Sequence, residues 1–299
     1  MGSPSAISAL RRILSSEHPQ IVFLSETKLK NHEMESVKKK LRWEHILAVD
    51  CEGEGRRRRG GLALMWRSTI KIQITSFSAN HIDVIVGEED QGEWRFTGIY
   101  GFPEEENKDK TGALMIALAR ATELPWLCGG DFNLLLTANE KKGGDGFNAR
   151  EADIFRRAME ACHFSDLGFV GYDFTWSNNR GGDANIQERL DRFFANNSWK
   201  DKFPGSFVSH LTKRKSDHLP IVISVRTAQA AGSRRPKAKR FRFEAMWLRE
   251  EGSTAVVKET WHRGSDAGVN IIRTAGNCRN GVGKLSEMLL KKFVLASII

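Results

Sequence analysis

The chain has 299 residues, of which 40% are apolar and 8 are Trp, enough to bury one large core and still carry a smaller appendage. Its 46 basic and 37 acidic residues leave a formal net charge of +9, which attracts a polyanion such as nucleic acid without specifying any chemistry. Four scattered cysteines (Cys51, Cys128, Cys162, Cys278) contain no C-x-x-C pair, which argues against a zinc site and a disulfide framework. No apolar run reaches bilayer length and the first residues lack a signal-peptide layout, so an intracellular protein with no membrane partner is expected, with the nucleus as its compartment.

The opening SPSAISALRRILSSEHP predicts an amphipathic helix: Ser3 can cap it, Pro4 suits its first position, and Ile7, Leu10, Ile13 and Leu14 recur at helical spacing. IVFLSE (21–26) follows as a short continuous apolar run, the pattern of a strand covered on both faces, with Glu26 at its end. A helix is expected around 33–42, then a meander of GLALMW (61–66), IKIQIT (70–75), HIDVIV (81–86) and EWRFTGIY (93–100), whose period-two alternation predicts half-buried strands. Further on come a helix over 113–123, a strand in PWLCGGDF ending at Asp131, a helix over 149–162, and short strands near FSDL, DFTWS, RLDRFFA, SFVSHL and HLPIVISV. Strict βαβ alternation is missing, so the expected fold is α/β: a two-sheet sandwich flanked by helices. The composition changes after Val225. We expect one domain over 1–226, a basic linker over 227–240, and a helical tail over 241–299.

Acidic and amide residues recur just beyond apolar strands: Glu26 in LSETK, Asp131 and Asn133 in GGDFN, Asp191 in ERLDR, and Asp217 with His218 in SDHLP. Strand ends in α/β architectures share a rim, so these turns can build one cluster. Oxygen ligands with one imidazole suit a hard cation such as Mg²⁺, which keeps waters for substrate phosphate to replace. Histidine adds a proton donor or charge stabiliser near neutral pH.

LSETK, the tyrosine of GIYG, GGDFN, FTWSN, RLDR and SDHLP occur in an order that resembles the endonuclease/exonuclease/phosphatase superfamily, which includes the abasic-site endonucleases, over roughly residues 5–226. GYDFTWSNNRGGDANIQERLDRFFANNSW and FRFEAMWL resemble the endonuclease domain of plant LINE-type non-LTR retrotransposons. The resemblance implies a four-layer fold of the abasic-endonuclease or DNase I type, and a Mg²⁺-dependent enzyme, with Mn²⁺ as the alternative ion, that nicks DNA and leaves a 3′-hydroxyl. It implies that Glu26 and Asp217 serve the metal, that Asp131 deprotonates the attacking water, and that Asn133 holds that water or a phosphate oxygen. Tyr100 would hydrogen-bond the scissile phosphate, Asp191 would orient the catalytic His218, and Trp176 and Arg180 would line the nucleic-acid face. Family members start with a strand ending in W-N-x-R-G, whereas this sequence opens on MGSPSAIS, which matches the stretch beyond that motif. The resemblance therefore implies a missing central strand, unpaired backbone beside IVFLSE, and a marginally folded, poorly active chain.

Plainer explanations exist for each residue. Glu26 can cap a loop, Asp131 with Asn133 can form an Asx-turn, Asp191 between Arg189 and Arg192 can be a surface ion pair, and Tyr100 can be a core aromatic. Six ordered motifs outweigh these one by one. The basic run 56–59 reads as a solvated Gly-flanked loop, 234–240 as a nuclear import signal or a charged linker, and 276–286 fails as a phosphate loop because Leu285 stands where Ser or Thr is needed. Two alternatives to a DNA nicking endonuclease stay open: a catalytically impaired nucleic-acid-binding remnant, and a phosphatase or ribonuclease of the same fold.

Overall fold

A computed structural model describes residues 2–87, 92–121, 123–212, 216–226 and 291–297. The first helix, α1 (Pro4–Glu17), starts where the Ser3 hydroxyl accepts the Ala6 N–H, and it buries Ile7, Leu10, Ile13 and Leu14. The second, α2 (Asn31–Leu41), opens with the Glu33 carboxylate accepting the Lys30 N–H at 2.8 Å. Both lie on one face of a six-stranded sheet ordered β13 (Phe207–His210), β14 (Ile221–Val225), β15 (Lys291–Ser297), β1 (Ile21–Ser25), β3 (Leu62–Trp66), β2 (His45–Val49). The second six-stranded sheet is ordered β4 (Lys71–Ser78), β5 (His81–Gly87), β6 (Trp94–Tyr100), β7 (Trp126–Asp131), β12 (Asp191–Ala195), β9 (Ser165–Asp166). Its outer face is covered by α3 (Lys108–Ala119) and α4 (Ala149–Ala161) through Met115, Leu118, Phe155 and Ala158. The remaining strands, β10 (Trp176–Ser177), β11 (Gln187–Glu188) and β8 (Lys141–Lys142), form a small sheet, and α5 (Asn197–Lys202) follows β12.

Between the two large sheets lies the main core, in which Phe23, Leu64, Val84, Phe96, Leu127, Phe193, Ile223 and Phe293 interdigitate. Aromatic edges dominate its centre: the Trp94 ring meets Phe203, Trp199 and Phe293 at centroid separations of 5.7, 6.3 and 5.3 Å. Helices outside, sheets inside: this is the expected four-layer sandwich.

Three expectations fail. GLALMW does not continue into the meander. It becomes β3 and pairs antiparallel with β1 and with β2, a strand whose HILAV sequence had gone unrecognised. The strands β5 and β6 are buried on both faces rather than half-buried, because their polar residues satisfy one another: Asp83 accepts from Arg95 Nε at 2.8 Å and from the Thr97 hydroxyl. The helical tail also fails over 291–297, which is a strand. A short apolar run such as FVLA has no decisive period, and a gap flanked by two strands selects the extended form because both its ladders must be filled. The same strand gives β1 a hydrogen-bonded neighbour on each side, so the expected unpaired edge beside IVFLSE is occupied. The linker over 227–240 and the tail over 241–290 lie outside the described residues.

Candidate active site

The sheet register assembles the site. In the second sheet Tyr100 ends β6, Asp131 ends β7 and Asp191 begins β12, and pairing sets Tyr100 beside Asp131 and Asp131 beside Asp191. Three residues far apart in the chain thus form one row. Glycine permits the crossing: a Cβ on Gly130 would meet the Ile99 carbonyl oxygen at 1.9 Å, so only Gly lets the ends of β6 and β7 approach this closely.

His218 reaches the row from the loop before β14, through a bridge with Trp176. Its Nδ1 donates to Asp191 Oδ2 at 2.8 Å, and Nε2 lies 3.7 Å from Asp131 Oδ2. All three side chains are buried. Burial alone would lower the proton affinity of His218, but the carboxylates of Asp191 and Asp131 override it and push the pKa up to about 9. At neutral pH the ring is therefore held charged, with Asp191 as its hydrogen-bonded counter-ion. Burial lifts Asp131 above the ordinary carboxylate range; the His218 cation opposes that rise and the Asp191 charge adds to it. Asp131 also accepts the Asn133 backbone N–H at 3.0 Å, so the Asx-turn and the site coexist in the same residues. Asn133 is left-handed at φ 53°, and its side-chain amide donates to the Gly101 carbonyl at 2.9 Å.

Glu26 enters from the other sheet, at the end of β1, with a left-handed φ of 54°. Its Oε1 accepts the Tyr100 hydroxyl at 2.5 Å and the Gly60 N–H at 3.3 Å, while Oε2 faces Lys28 Nζ at 3.3 Å. Burial and the Glu26 carboxylate raise the Tyr100 pKa far beyond its usual value, so the phenol stays a neutral donor. The Tyr100 ring is core and its hydroxyl is site. Asp217 accepts from the Trp176 indole N–H at 3.1 Å, which makes Trp176 a support for that carboxylate as well as a half-buried rim residue. Arg180 is exposed in the loop between β10 and β11 and stands apart from the row.

Sequence reasoning overlooked three contributors. Thr175, fully buried, accepts the backbone N–H groups of Leu190 and Asp191 at 2.9 Å each and fixes the start of β12. Lys108 begins α3, donates to the Asn133 carbonyl and lends positive charge to Asp131. Lys28 adds a second cation beside Glu26. Both lysines sit in ordinary charged stretches, and only the neighbouring motifs ETK and IYG hinted at them. The basic run 56–59 is less free than expected, since Arg58 pairs with Glu33 at 2.7 Å and Arg59 with Glu52 at 2.9 Å. Asp191 is no surface carboxylate: Arg189 and Arg192 instead bind Glu140 and Asp166.

Asp131, Asp191 and His218 offer ligand atoms within 4.8 Å of one another. This trio could hold a cation, and the carboxylates of Glu26 and Asp217 are further oxygen donors of the hard type that suits Mg²⁺.

Two mixed sheets with carboxylates and a histidine at their shared rim define a hydrolytic nuclease or phosphodiesterase class. Residues 2–218 match the model described as the Endonuclease/Exonuclease/phosphatase family, and the chain belongs to that family. Among solved structures it is similar to the "Endonuclease domain of TRAS1, a telomere-specific non-LTR retrotransposon" (16% identity, TM-score 0.55, 76% of this chain and 94% of that one). It is also similar to the AP endonuclease LMAP from Leishmania major (18%, 0.54, 72% and 80%) and to an AP endonuclease from Archaeoglobus fulgidus (16%, 0.55, 74% and 95%). At these identities the likeness establishes the fold. No curated protein matches the sequence. Among the described residues no helix is long and apolar enough to cross a membrane.

Proposed function

We propose that this protein is a Mg²⁺-dependent endonuclease that hydrolyses a phosphodiester in DNA and leaves a 3′-hydroxyl, with Mn²⁺ able to substitute. The observation that carries the reading is the Asp191–His218–Asp131 line, a buried histidine between two aspartates with Asn133 beside it. Asp131, its proton affinity raised by burial, takes the proton of the attacking water, and Asn133 holds that water or a phosphate oxygen. His218, kept charged by Asp191, stabilises the negative charge that grows on the phosphoryl oxygens. The Tyr100 hydroxyl, which donates to Glu26 in the free protein, would turn to the scissile phosphate when substrate binds, and Lys28 and Lys108 draw the polyanion to the rim. Glu26 and Asp217 would hold the metal, which when bound would supply charge neutralisation at the phosphoryl group and its leaving oxygen. Trp176, half-buried at the rim, and the exposed Arg180 would contact the nucleic acid beyond the scissile phosphate.

A role in a LINE-type retroelement is supported by the resemblance of the 171–199 stretch and of FRFEAMWL to that branch. In such an element the nick would prime reverse transcription. The test is nicking of supercoiled plasmid with Mg²⁺ and with EDTA, run beside an inositol phosphate and a polyadenylated RNA. Conversion of plasmid alone, abolished by EDTA, is expected. Equal or faster turnover of either other substrate would overturn the DNA assignment.

A further inference from the structure

The strand at 291–297 occupies an unusual place for a segment so late in the chain. It lies in the middle of the first sheet, parallel to β1 on one side and antiparallel to β14 on the other. Its contacts run through every layer around it. The Phe293 ring points into the main core, 5.3 Å from Trp94 and 6.0 Å from Phe96. Val294 points the opposite way, into the cluster under α1 and α2. The Lys292 carbonyl accepts the Gln20 N–H at 2.9 Å, and Lys292 Nζ pairs with Glu17 at 3.1 Å.

The two strands that flank it each lead into part of the site, whose remaining residues stand on the second sheet. Glu26 follows β1, and Asp217 with His218 precedes β14. Pairing of Ser25 with Ser297 and of Ile221 with Leu295 puts both approaches at the same end of the sheet. With β15 in place, β1 and β14 stand two strand spacings apart, roughly 9–10 Å. Were the gap to close, one side would move by a whole spacing, about 4.8 Å, when misplacement by about 1 Å already costs an active site some hundredfold.

We infer that the gap between β1 and β14 is a strand-receiving site, that its occupant is the chain's own 291–297 segment, and that docking of this strand sets the distance between the Glu26 and His218 sides of the active site. The docking half stands on the sheet alone; the catalytic half rests on the proposed function. Residues 226–290 separate β14 from β15 in the chain, so the pairing of β15 with its neighbours is long-range. The recognition chemistry is that of added-strand complexes: main-chain ladders on both sides give affinity, and the alternating pockets for Phe293 and Val294 give register.

The experiment is hydrogen–deuterium exchange on the full chain, paired with plasmid nicking by a full-length Phe293→Asp/Val294→Asp variant. Amides 292–296 should exchange in step with those of β1 and β14, roughly a thousandfold or more slower than in a free peptide. The double variant should lose that protection, lose protection in 21–25 and 221–225 as well, and nick at least tenfold more slowly. Adding the synthetic peptide KKFVLAS should restore both readouts, whereas the same peptide carrying the two aspartates should restore neither. Free-peptide exchange rates at 292–296 in the unaltered chain would overturn the inference. So would a double variant with unchanged protection in β1 and unchanged nicking. If the unaltered chain protects 292–296 yet nicks nothing, the proposed function fails and strand docking stands.

Discussion

His218 concentrates the chemistry in a single ring. Held between Asp191 and Asp131 and raised to about 9, it is charged through the neutral range and acts on the transition state more than on bound DNA. His218→Ala should lower kcat by roughly 10²–10⁴-fold with plasmid affinity nearly unchanged, measured by steady-state nicking beside a binding titration. Loss of affinity with kcat intact would contradict this. The pH response tests the cause of the charge. A folded-state pKa above the free value means the proton is held most firmly in the native protein; the benefit is complete below about 6.5 and is lost as pH rises through about 9. Asp191→Asn removes the larger of the two raising charges, so the alkaline limb of the rate profile should move to lower pH. An unmoved limb would mean another group titrates there.

At the scale of elements, an ion cluster fixes where Asp191 stands. Arg192 is fully buried beside it, and its guanidinium binds Glu140 and, at 3.2 Å, Asp166, while Arg189 joins both acids. Burial raises the Glu140 proton affinity, but the Arg192 contact outweighs it and the pKa falls below the usual value. A depressed carboxylate stabilises the fold above its free pKa and loses that contribution as pH falls through the depressed value. Glu140→Gln leaves Arg192 with only part of its compensation, and breaking a buried pair costs about 3–5 kcal/mol. We expect a loss near the lower end, since Asp166 remains, read from denaturant midpoints; a change under about 1 kcal/mol would show that the cluster is solvated. Gly130→Ala probes the neighbouring crossing, where the new Cβ would strike the Ile99 carbonyl. Overpacking against backbone should cost about 1–3 kcal/mol or more, and a melting temperature equal to that of the parent would refute the close approach.

How much of this was legible beforehand depends on whether a residue announces itself locally. Ser3, Pro4 and the Ile7–Leu14 stripe specify α1 within one short window, and each of the residues Glu26, Asp131, Asn133, Asp191 and His218 stands in a recognisable motif. Nothing local says that Asp131 pairs with Asp191 or that GLALMW leaves the meander, because strand partnership is set across the sheet. The 291–297 strand was invisible for the same reason: FVLA carries no period, and only the gap between β1 and β14 makes it extended. Lys28 and Lys108 were hidden among ordinary charges, their meaning fixed by Glu26 and Asn133 nearby.

On the scale of the whole molecule, a net charge of +9 makes any nucleic-acid complex an electrostatic one, and the useful question is which cations touch phosphate. Lys108 donates to the neutral carbonyl of Asn133 beside the site, whereas Lys28, Arg58 and Arg59 pair with the carboxylates of Glu26, Glu33 and Glu52. Each cation that neutralises a phosphate releases condensed counterions and adds about 0.9 to the slope of log Kd against log salt on duplex DNA. In a His218→Ala background, which removes turnover, Lys108→Gln should therefore lower that slope by about one. Arg59→Gln should leave it unchanged, because Arg59 is paired with Glu52 rather than with phosphate and so displaces no condensed counterion. The comparison separates net charge from placed charge, since both variants remove one positive unit. Equal slope changes for the two would mean that DNA follows the overall field of the protein, and that Lys108 has no special place at the rim.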